Sequence, residues 1–209
     1  YVTRMLDKLT MAEALKAAGL PVPDTATAAR GRTGGFPCIV KPRHGRGSRG
    51  GQVLQRAEQV AAYVLLSGLD PEQIILQDLQ EGQEYTVLMA ADRQGRLRGV
   101  VPVKVDVKRG ITVRAETEHN ADVIKGCQAI HEALPTMGCY NIQLILTGDG
   151  QMMPFEINPR VSTTFCLGLS AGIDPITIYR DEVAGDGLLS FRPGVRLRRH
   201  WTSYIDTGQ

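Results

Sequence analysis

The sequence predicts an α+β fold arranged in two lobes. Helix and strand patterns mix along the chain without the strand–helix–strand rhythm of a doubly wound parallel sheet. The 209 residues are enough for one large domain or two small lobes. Apolar residues make up 43% and charged residues 22%, an ordinary globular composition that argues against disorder.

The elements follow in order. Thr10 and Glu13 read as a capping box ahead of Ala14, Leu15 and Ala18, and Gly19 is placed to end that helix. Pro21 and Pro23 then force extended chain. Residues 30–35 form a polar loop, and 36–41 an apolar strand ending on Lys41. Residues 45–51 carry four glycines, and 52–55 read as strand. Helical spacing covers 57–67, and 74–77 is strand again. Strands 84–91 and 97–107 are joined by the polar turn 92–95. A helix covers 120–134, strands cover 140–147 and 151–157, helical stretches occupy 168–184, and the tail 195–205 suggests a last strand.

Composition excludes several function classes. The net charge of +2 gives no reason to expect a nucleic-acid or membrane surface. No apolar run approaches the roughly 18 residues of a membrane span. Aromatics at 5% are too few for base-stacking platforms. Cys38, Cys127, Cys139 and Cys166 lack C-x-x-C spacing, so neither a disulfide framework nor a zinc site is expected, and a reduced, cytoplasmic setting fits. The chain begins at Tyr1 with no leader pattern, and the expectation is a fragment that has lost a preceding N-terminal domain.

Residues 45–50 match G-x-G-x-x-G, a weak pattern alone. A dinucleotide fingerprint needs a helix after the third glycine, whereas Gly51 precedes a strand pattern. A Walker loop needs Gly-Lys-Ser/Thr, and a kinase loop precedes its strand lysine, whereas Lys41 comes first here. What remains is a strand–loop–strand flap. Its backbone N–H groups can approach phosphate oxygens, with Lys41 as a point charge at its base and Arg43, Arg46 and Arg49 nearby. A flexible surface hairpin with a solvated lysine is the bland alternative.

Asp149 and Gly150 suit a two-residue type I′ turn. That turn pairs Gly148 with Gln151 and sets Gln143 opposite Glu156, with Asn158 on the same side two residues on. One hairpin face then gathers two amide oxygens and a carboxylate, a hard-oxygen set suited to Mg²⁺. Arg160, after Pro159, can meet developing phosphate charge. A solvated polar face on an edge hairpin is the alternative, and Pro154 is compatible with an edge.

Glu84, at the head of a strand, is either an acceptor for sugar hydroxyls or an exposed strand-start acid. Lys108, Arg109 and Gly110 are either a phosphate contact or a basic turn. His44, His119, His131 and His200 lack ligand spacing, and no Gly-x-Ser-x-Gly supports a serine nucleophile.

A helix with Asp7-Lys8, the strand lysine, the glycine flap, Gln77-Asp-Leu79, Gly82-x-Glu-Tyr-Thr-Val, Asn141-Ile-Gln143 and Phe155-Glu-Ile-Asn-Pro-Arg160 occur in one order. Together they resemble the ATP-grasp superfamily, most closely the ATP-grasp domains of the carbamoyl-phosphate synthetase large chain, over residues 7–175. The resemblance implies a two-lobed fold, with lobes at 1–79 and 80–209 holding the nucleotide between them. It implies that Lys8 and Lys41 touch ATP phosphates, that the flap with Arg46, Gly47, Ser48, Gly50 and Gly51 covers them, and that Gln77, Asp78 and Leu79 belong to the adenine-binding stretch. It also implies Glu84 as the ribose acid, Gln143, Glu156 and Asn158 as ligands of Mg²⁺ (or Mn²⁺), and Arg160 with Lys41 as catalytic cations.

Such enzymes activate a carboxylate as an acyl phosphate for attack by an amine or similar nucleophile. The sequence departs from the synthetase in having one such unit, Asp78 where Glu is frequent, and arginines in the flap. The expectation is therefore a stand-alone carboxylate–amine ligase acting on small molecules, oligomeric, if at all, through the missing N-terminal domain. An ATP-binding regulatory or sensing module without ligase turnover is the alternative.

Overall fold

The structure, a computed structural model, describes residues 2–45 and 50–206. Helices α1 (Val2–Leu6) and α2 (Lys8–Ala17) meet at Asp7. Asp7 is extended, and its carboxylate accepts from Leu9 N and Thr10 N, so Asp7 is the N-cap. The capping box expected at Thr10 is thereby corrected. Thr10 lies within the first turn, and its hydroxyl donates to Asp7 Oδ2 at 2.9 Å. Asp7, three residues upstream, reaches the free amides first with a charged acceptor. The helix ends as read: Gly19 N bonds Lys16 O and Leu20 N bonds Leu15 O, the paired closure of a Schellman end.

Strands β1 (Thr25–Thr27), β2 (Cys38–Pro42), β3 (Gln52–Leu54) and β4 (Ile74–Asp78) make an antiparallel sheet ordered β1-β4-β2-β3. Its strands alternate. Cys38, Val40, Ile74 and Leu76 point into a core closed by Tyr63 of α3 (Glu58–Ser67). Ile39, Lys41 and Gln77 therefore face the other way. Gly51 runs directly into β3 with no helix, which removes the dinucleotide reading of the glycine loop.

The second sheet holds β5 (Gln83–Ala91), β6 (Leu97–Arg109), β7 (Ile111–Thr117), β8 (Gly138–Leu146), β9 (Met152–Asn158) and β10 (Arg196–Arg198). Its order is β10-β7-β6-β5-β8-β9. Helix α4 (Ala121–Ala133), capped by Asn120, covers one face, where Val123, Cys127 and Ile130 meet Val87, Met89 and Ile142. Helices α5 (Phe165–Ser170) and α6 (Pro175–Tyr179) cover the other, against Leu88, Ala90 and Val101. Burial on both faces explains the unbroken apolar run of β5. Two expectations change. β7 was not anticipated, and the tail strand shrinks from 195–205 to Arg196–Arg198, the stretch that pairs with β7.

Met5, Met11 and Leu15 join the core of the six-stranded sheet. Helices α1 and α2 thus pack across the division placed at residue 79, which itself falls in the connection between β4 and β5. Full burial of a side chain such as Leu15 contributes about 1.5–3 kcal/mol. Among the described residues no helix is long and apolar enough to cross a membrane.

The β8–β9 hairpin needs one more correction. Its loop holds three residues, not two: Thr147 N bonds Gln151 O, and Gly150 takes φ +83° at the last loop position. Leu146 accordingly pairs with Met152 and Leu144 with Pro154, one residue out of step with the expected register. The register then shifts between Gln143 and Leu144, leaving Phe155 as an extra residue on β9. Pro154 lacks an N–H for the ladder, and a bulge on an edge strand is where that loss is tolerated. Beyond it Gln143 faces Glu156 and Asn141 faces Asn158.

Candidate active site

A cavity of about 280 Å³ lies between the two sheets. Of the residues singled out from sequence, Lys8, Lys41, Gly51, Gln77, Asp78, Leu79, Glu84 and Glu156 line it. Ile39, Ile145 and Phe155 supply apolar wall. Arg46, Gly47 and Ser48 lie outside the described residues. Gly50 is held from the side, its carbonyl accepting from Tyr63 Oη at 2.6 Å.

Each lining side chain has a local cause. Lys8 opens α2, and its ammonium lies 3.6 Å from Glu156 Oε1 and 3.4 Å from Gly45 O, at the root of the glycine loop. Asp7 holds the strand side of that corner through Arg43, whose Nη2 donates to Asp7 Oδ2 at 2.6 Å. Burial pushes the Asp7 carboxyl up. The hydrogen bonds from Arg43 and Thr10, with the Arg43 charge, outweigh it and hold the group well below the usual carboxylate range.

Lys41 projects from β2 and is bonded from both sheets. Its Nζ donates to Gln77 Oε1 at 2.9 Å and to Phe155 O at 3.3 Å, and sits 5.2 Å from the Phe155 ring centre. Burial lowers its ammonium to about 8, with Glu156 opposing and Lys8 and Lys108 adding to the fall. The bulge at Phe155 thus aims a carbonyl and a ring at the strand lysine.

Glu84 follows Gly82, where the chain crosses from β4 to β5. Gly82 has φ +152°, and a Cβ there would stand 2.2 Å from Leu146 O, so no other residue fits without displacing backbone. Glu84 accepts from Lys108 Nζ at 2.5 Å, and Lys108 also donates to Gln143 Oε1 at 3.0 Å. Lys108 lies near the end of β6, just before the turn at Gly110, which has φ +72°, and it faces these two side chains from there. Two register shifts in the β6–β7 pairing immediately precede Lys108 and give the strand end room to turn. The sequence offered no local sign of that arrangement.

Gln143 Nε2 lies 3.1 Å from Glu156 Oε2. Asn158 is buried beside Asn141, and its Oδ1 lies 3.5 Å from Arg160 Nη2. Gln143 therefore adjoins the lining through Glu156, and Asn158 and Arg160 are not among the residues that line the cavity. Asp78 lines the cavity, but its carboxylate is taken by an ion pair with Arg32, a residue the sequence reading did not single out. Among the described residues no group of three or more His, Cys, Asp or Glu is placed to hold a metal ion. The donor set at the hairpin is instead one carboxylate with two amides. Those are hard oxygen donors in the number Mg²⁺ accepts when phosphate and water complete its shell, so the residues present fit such an ion. Lys8 and Lys108 hold positive charge against these same oxygens.

Comparison with known proteins identifies the family and the fold. A family model described as an ATP-grasp domain matches residues 5–164. An N5-carboxyaminoimidazole synthetase from Staphylococcus aureus complexed with ADP superposes with a TM-score of 0.75 at 15% identity, covering 90% of this chain and 55% of that one. An L-amino acid ligase from Bacillus licheniformis gives 0.69 at 16% identity, covering 86% and 48%. A biotin carboxylase from Campylobacter jejuni, solved as a beta-gamma-ATP complex, gives 0.68 at 17% identity, covering 83% and 45%. At such identities the likeness is one of fold. The chain spans about half the length of these structures. No curated protein sequence matches it.

Proposed function

Because the chain belongs to the ATP-grasp domain family, we propose that the cavity between its sheets binds ATP with Mg²⁺ and activates a carboxylate as an acyl phosphate. One observation carries the reading. Lysines from α2, β2 and β6 converge with Glu156 and Gln143 beside a cavity whose remaining wall is largely apolar. A polyphosphate needs the cations, and a purine ring needs the apolar wall. The solved structures of like fold carry ligase, synthetase or carboxylase names, which supports the same reaction class.

In this reading Lys8 and Lys41 place positive charge on the phosphates. Glu84 accepts from ribose hydroxyls once Lys108 yields it. The backbone at Asp78 and Leu79 meets the base edge, while Arg32 keeps the Asp78 carboxylate occupied. Gln143, Glu156 and Asn158 hold Mg²⁺, which supplies charge neutralisation on the transferring phosphoryl group when bound. A substrate carboxylate oxygen attacks the terminal phosphorus and ADP leaves. An amine or similar nucleophile then attacks the acyl carbon and phosphate leaves. Arg160 faces the charge that develops, and the 45–51 flap excludes water from the acyl phosphate. We place the lobe division between β4 and β5, with α1 and α2 buttressing the second sheet. At the metal face, Gln143 with Glu-x-Asn-Pro-Arg keeps the likeness to the carbamoyl-phosphate synthetase large chain.

The test is carboxylate-dependent ADP release by the full chain with ATP, Mg²⁺ and a panel of amino acids, small carboxylic acids and bicarbonate, with hydroxylamine as trap. A hydroxamate formed in step with ADP supports the reading. ATP binding without ADP release for any carboxylate would assign a nucleotide-binding module instead.

A further inference from the structure

Lys41 is held by a relay that begins two strands away. Gln77 sits on β4 opposite both Ile39 of β2 and Thr25 of β1, and it is 1% exposed. Its Oε1 accepts from Lys41 Nζ at 2.9 Å, and its Nε2 donates to Thr25 Oγ1 at 2.9 Å. Thr25 Oγ1 donates in turn to Pro23 O at 2.8 Å. A hydroxyl has one proton, and this one is committed to Pro23. Thr25 can then only accept, so the Gln77 amide must turn its NH₂ toward Thr25 and its oxygen toward Lys41. The amide orientation follows from that count. Of the three N–H bonds of Lys41, one goes to Gln77 and one to Phe155 O, which leaves one for a ligand.

We infer that Thr25 and Gln77 are positioning residues, which aim the Lys41 ammonium at an anionic ligand while leaving its charge intact. The anion is the polyphosphate if the function proposed above holds, and the inference rests on that reading for the ligand's identity alone. The chemistry of the acceptor is the reason. A carboxylate at position 77 would also hold the ammonium, but it would neutralise the charge that a phosphate needs. A neutral amide holds direction and adds no charge. The other charged groups acting on Lys41 are Glu156 from β9, Lys8 from α2 and Lys108 from β6, and none of them belongs to the relay.

The test uses the full chain and three variants. Thr25→Val keeps shape and removes the acceptor, so the buried Gln77 Nε2 loses its partner and the amide oxygen is no longer held in line with Lys41. Thr25→Ser keeps the hydroxyl. Gln77→Glu keeps an acceptor and adds charge. The first readout needs no nucleotide: acetylation of Lys41 by acetic anhydride, measured by peptide mass spectrometry against Lys16, whose side chain is 74% exposed. The second is the affinity for ATP set against the affinity for adenosine. The relay predicts that Thr25→Val speeds Lys41 acetylation several-fold and weakens ATP on the order of tenfold, the scale of one hydrogen bond to a charged group, with adenosine unmoved. Thr25→Ser restores both values. Gln77→Glu slows acetylation and weakens ATP. Unchanged acetylation in Thr25→Val overturns the relay, as does a serine variant that behaves like valine. If Thr25→Val does not fold, acetylation in Gln77→Glu decides: slower supports the relay and unchanged overturns it. If acetylation shifts as stated but the wild-type chain binds no ATP, the relay stands and the ATP reading fails.

Discussion

Gln143 on β8 stands directly opposite Glu156 on β9, its Nε2 3.1 Å from Glu156 Oε2, because Phe155 bulges out of the ladder just before them. The bulge also turns the Phe155 carbonyl to within 3.3 Å of Lys41 Nζ and sets the ring 5.2 Å from Lys41 and 5.8 Å from Lys108. One extra residue thus serves both the oxygen face and the lysines. Phe155→Ala removes the ring and keeps the carbonyl. At about 0.5–1 kcal/mol for a cation over an aromatic face, ATP affinity should fall roughly two- to fivefold by calorimetry, with the metal requirement intact.

Lys41 gives the site a pH dependence. Its ammonium is lowered to about 8, and a bound phosphate favours the charged form. Well below pH 8 the lysine is already protonated, and binding takes up almost no proton there. Above it, binding must be accompanied by proton uptake. ATP affinity should therefore be flat below about pH 7.5 and fall by up to about tenfold per pH unit above 8. Lys41→Met should abolish that slope. Titration in two buffers of different ionisation enthalpy reads the proton directly.

Asp7 ties a helix cap to a strand. Asp7→Ala removes the acceptor for Leu9 N and Thr10 N and the partner of Arg43. A loss of about 1–3 kcal/mol is expected, which is a fall in Tm of very roughly 3–10 °C for a chain of this size. The sign with pH follows from the lowered carboxyl. The contribution is complete above the unfolded value of 3.8 and fades as pH falls below it toward the folded one. The wild-type advantage over Asp7→Ala should therefore persist at pH 6 and shrink below pH 4 in thermal melts.

Two glycines with positive φ should respond differently to alanine. At Gly68, which ends α3 with φ +65°, a Cβ meets nothing within 4 Å, so about 1 kcal/mol of backbone strain is the expected cost. At Gly82 the Cβ would stand 2.2 Å from Leu146 O. Gly82→Ala should cost several-fold more by urea unfolding and should also weaken ATP binding, because Glu84 and β5 start from that crossing.

Local features were legible in the sequence, and so were those that depend on a single residue type. The span of the α4 helix and the end of α2 at Gly19 follow from residues acting on their own neighbours. The N-cap of α2 shows the limit: Asp7 and Thr10 are both capping residues, and only the chain path past Thr10 decides between them. The pairing of Gln143 with Glu156 was reached by assuming a two-residue turn and a regular ladder. Each assumption was off by one residue and the two offsets cancelled. Pro154 was the available hint that the ladder was irregular. β7 was not anticipated although Ile111, Val113 and Ala115 alternate with Thr112, Arg114 and Glu116; the burial does not follow that alternation, with Ile111 exposed and Thr112 buried. The meeting of Lys108 with Glu84 and Gln143 spans 24 and 35 residues and follows from strand order, which no local pattern encodes. The same is true of α1 and α2 burying Met5 and Leu15 against the second sheet.

In the proposed function ATP sits between the sheets with a metal on the Gln143–Glu156–Asn158 face. Calorimetric titration of ATP into the full chain tests it most directly, run with Mg²⁺, then with EDTA, and then on Glu156→Ala under both conditions. The account predicts binding with Mg²⁺ that weakens at least roughly tenfold in EDTA and to a similar degree in Glu156→Ala, with the variant indifferent to metal. Binding of equal strength in all four titrations would contradict it, since a nucleotide that ignores both the metal and Glu156 does not sit on this hairpin.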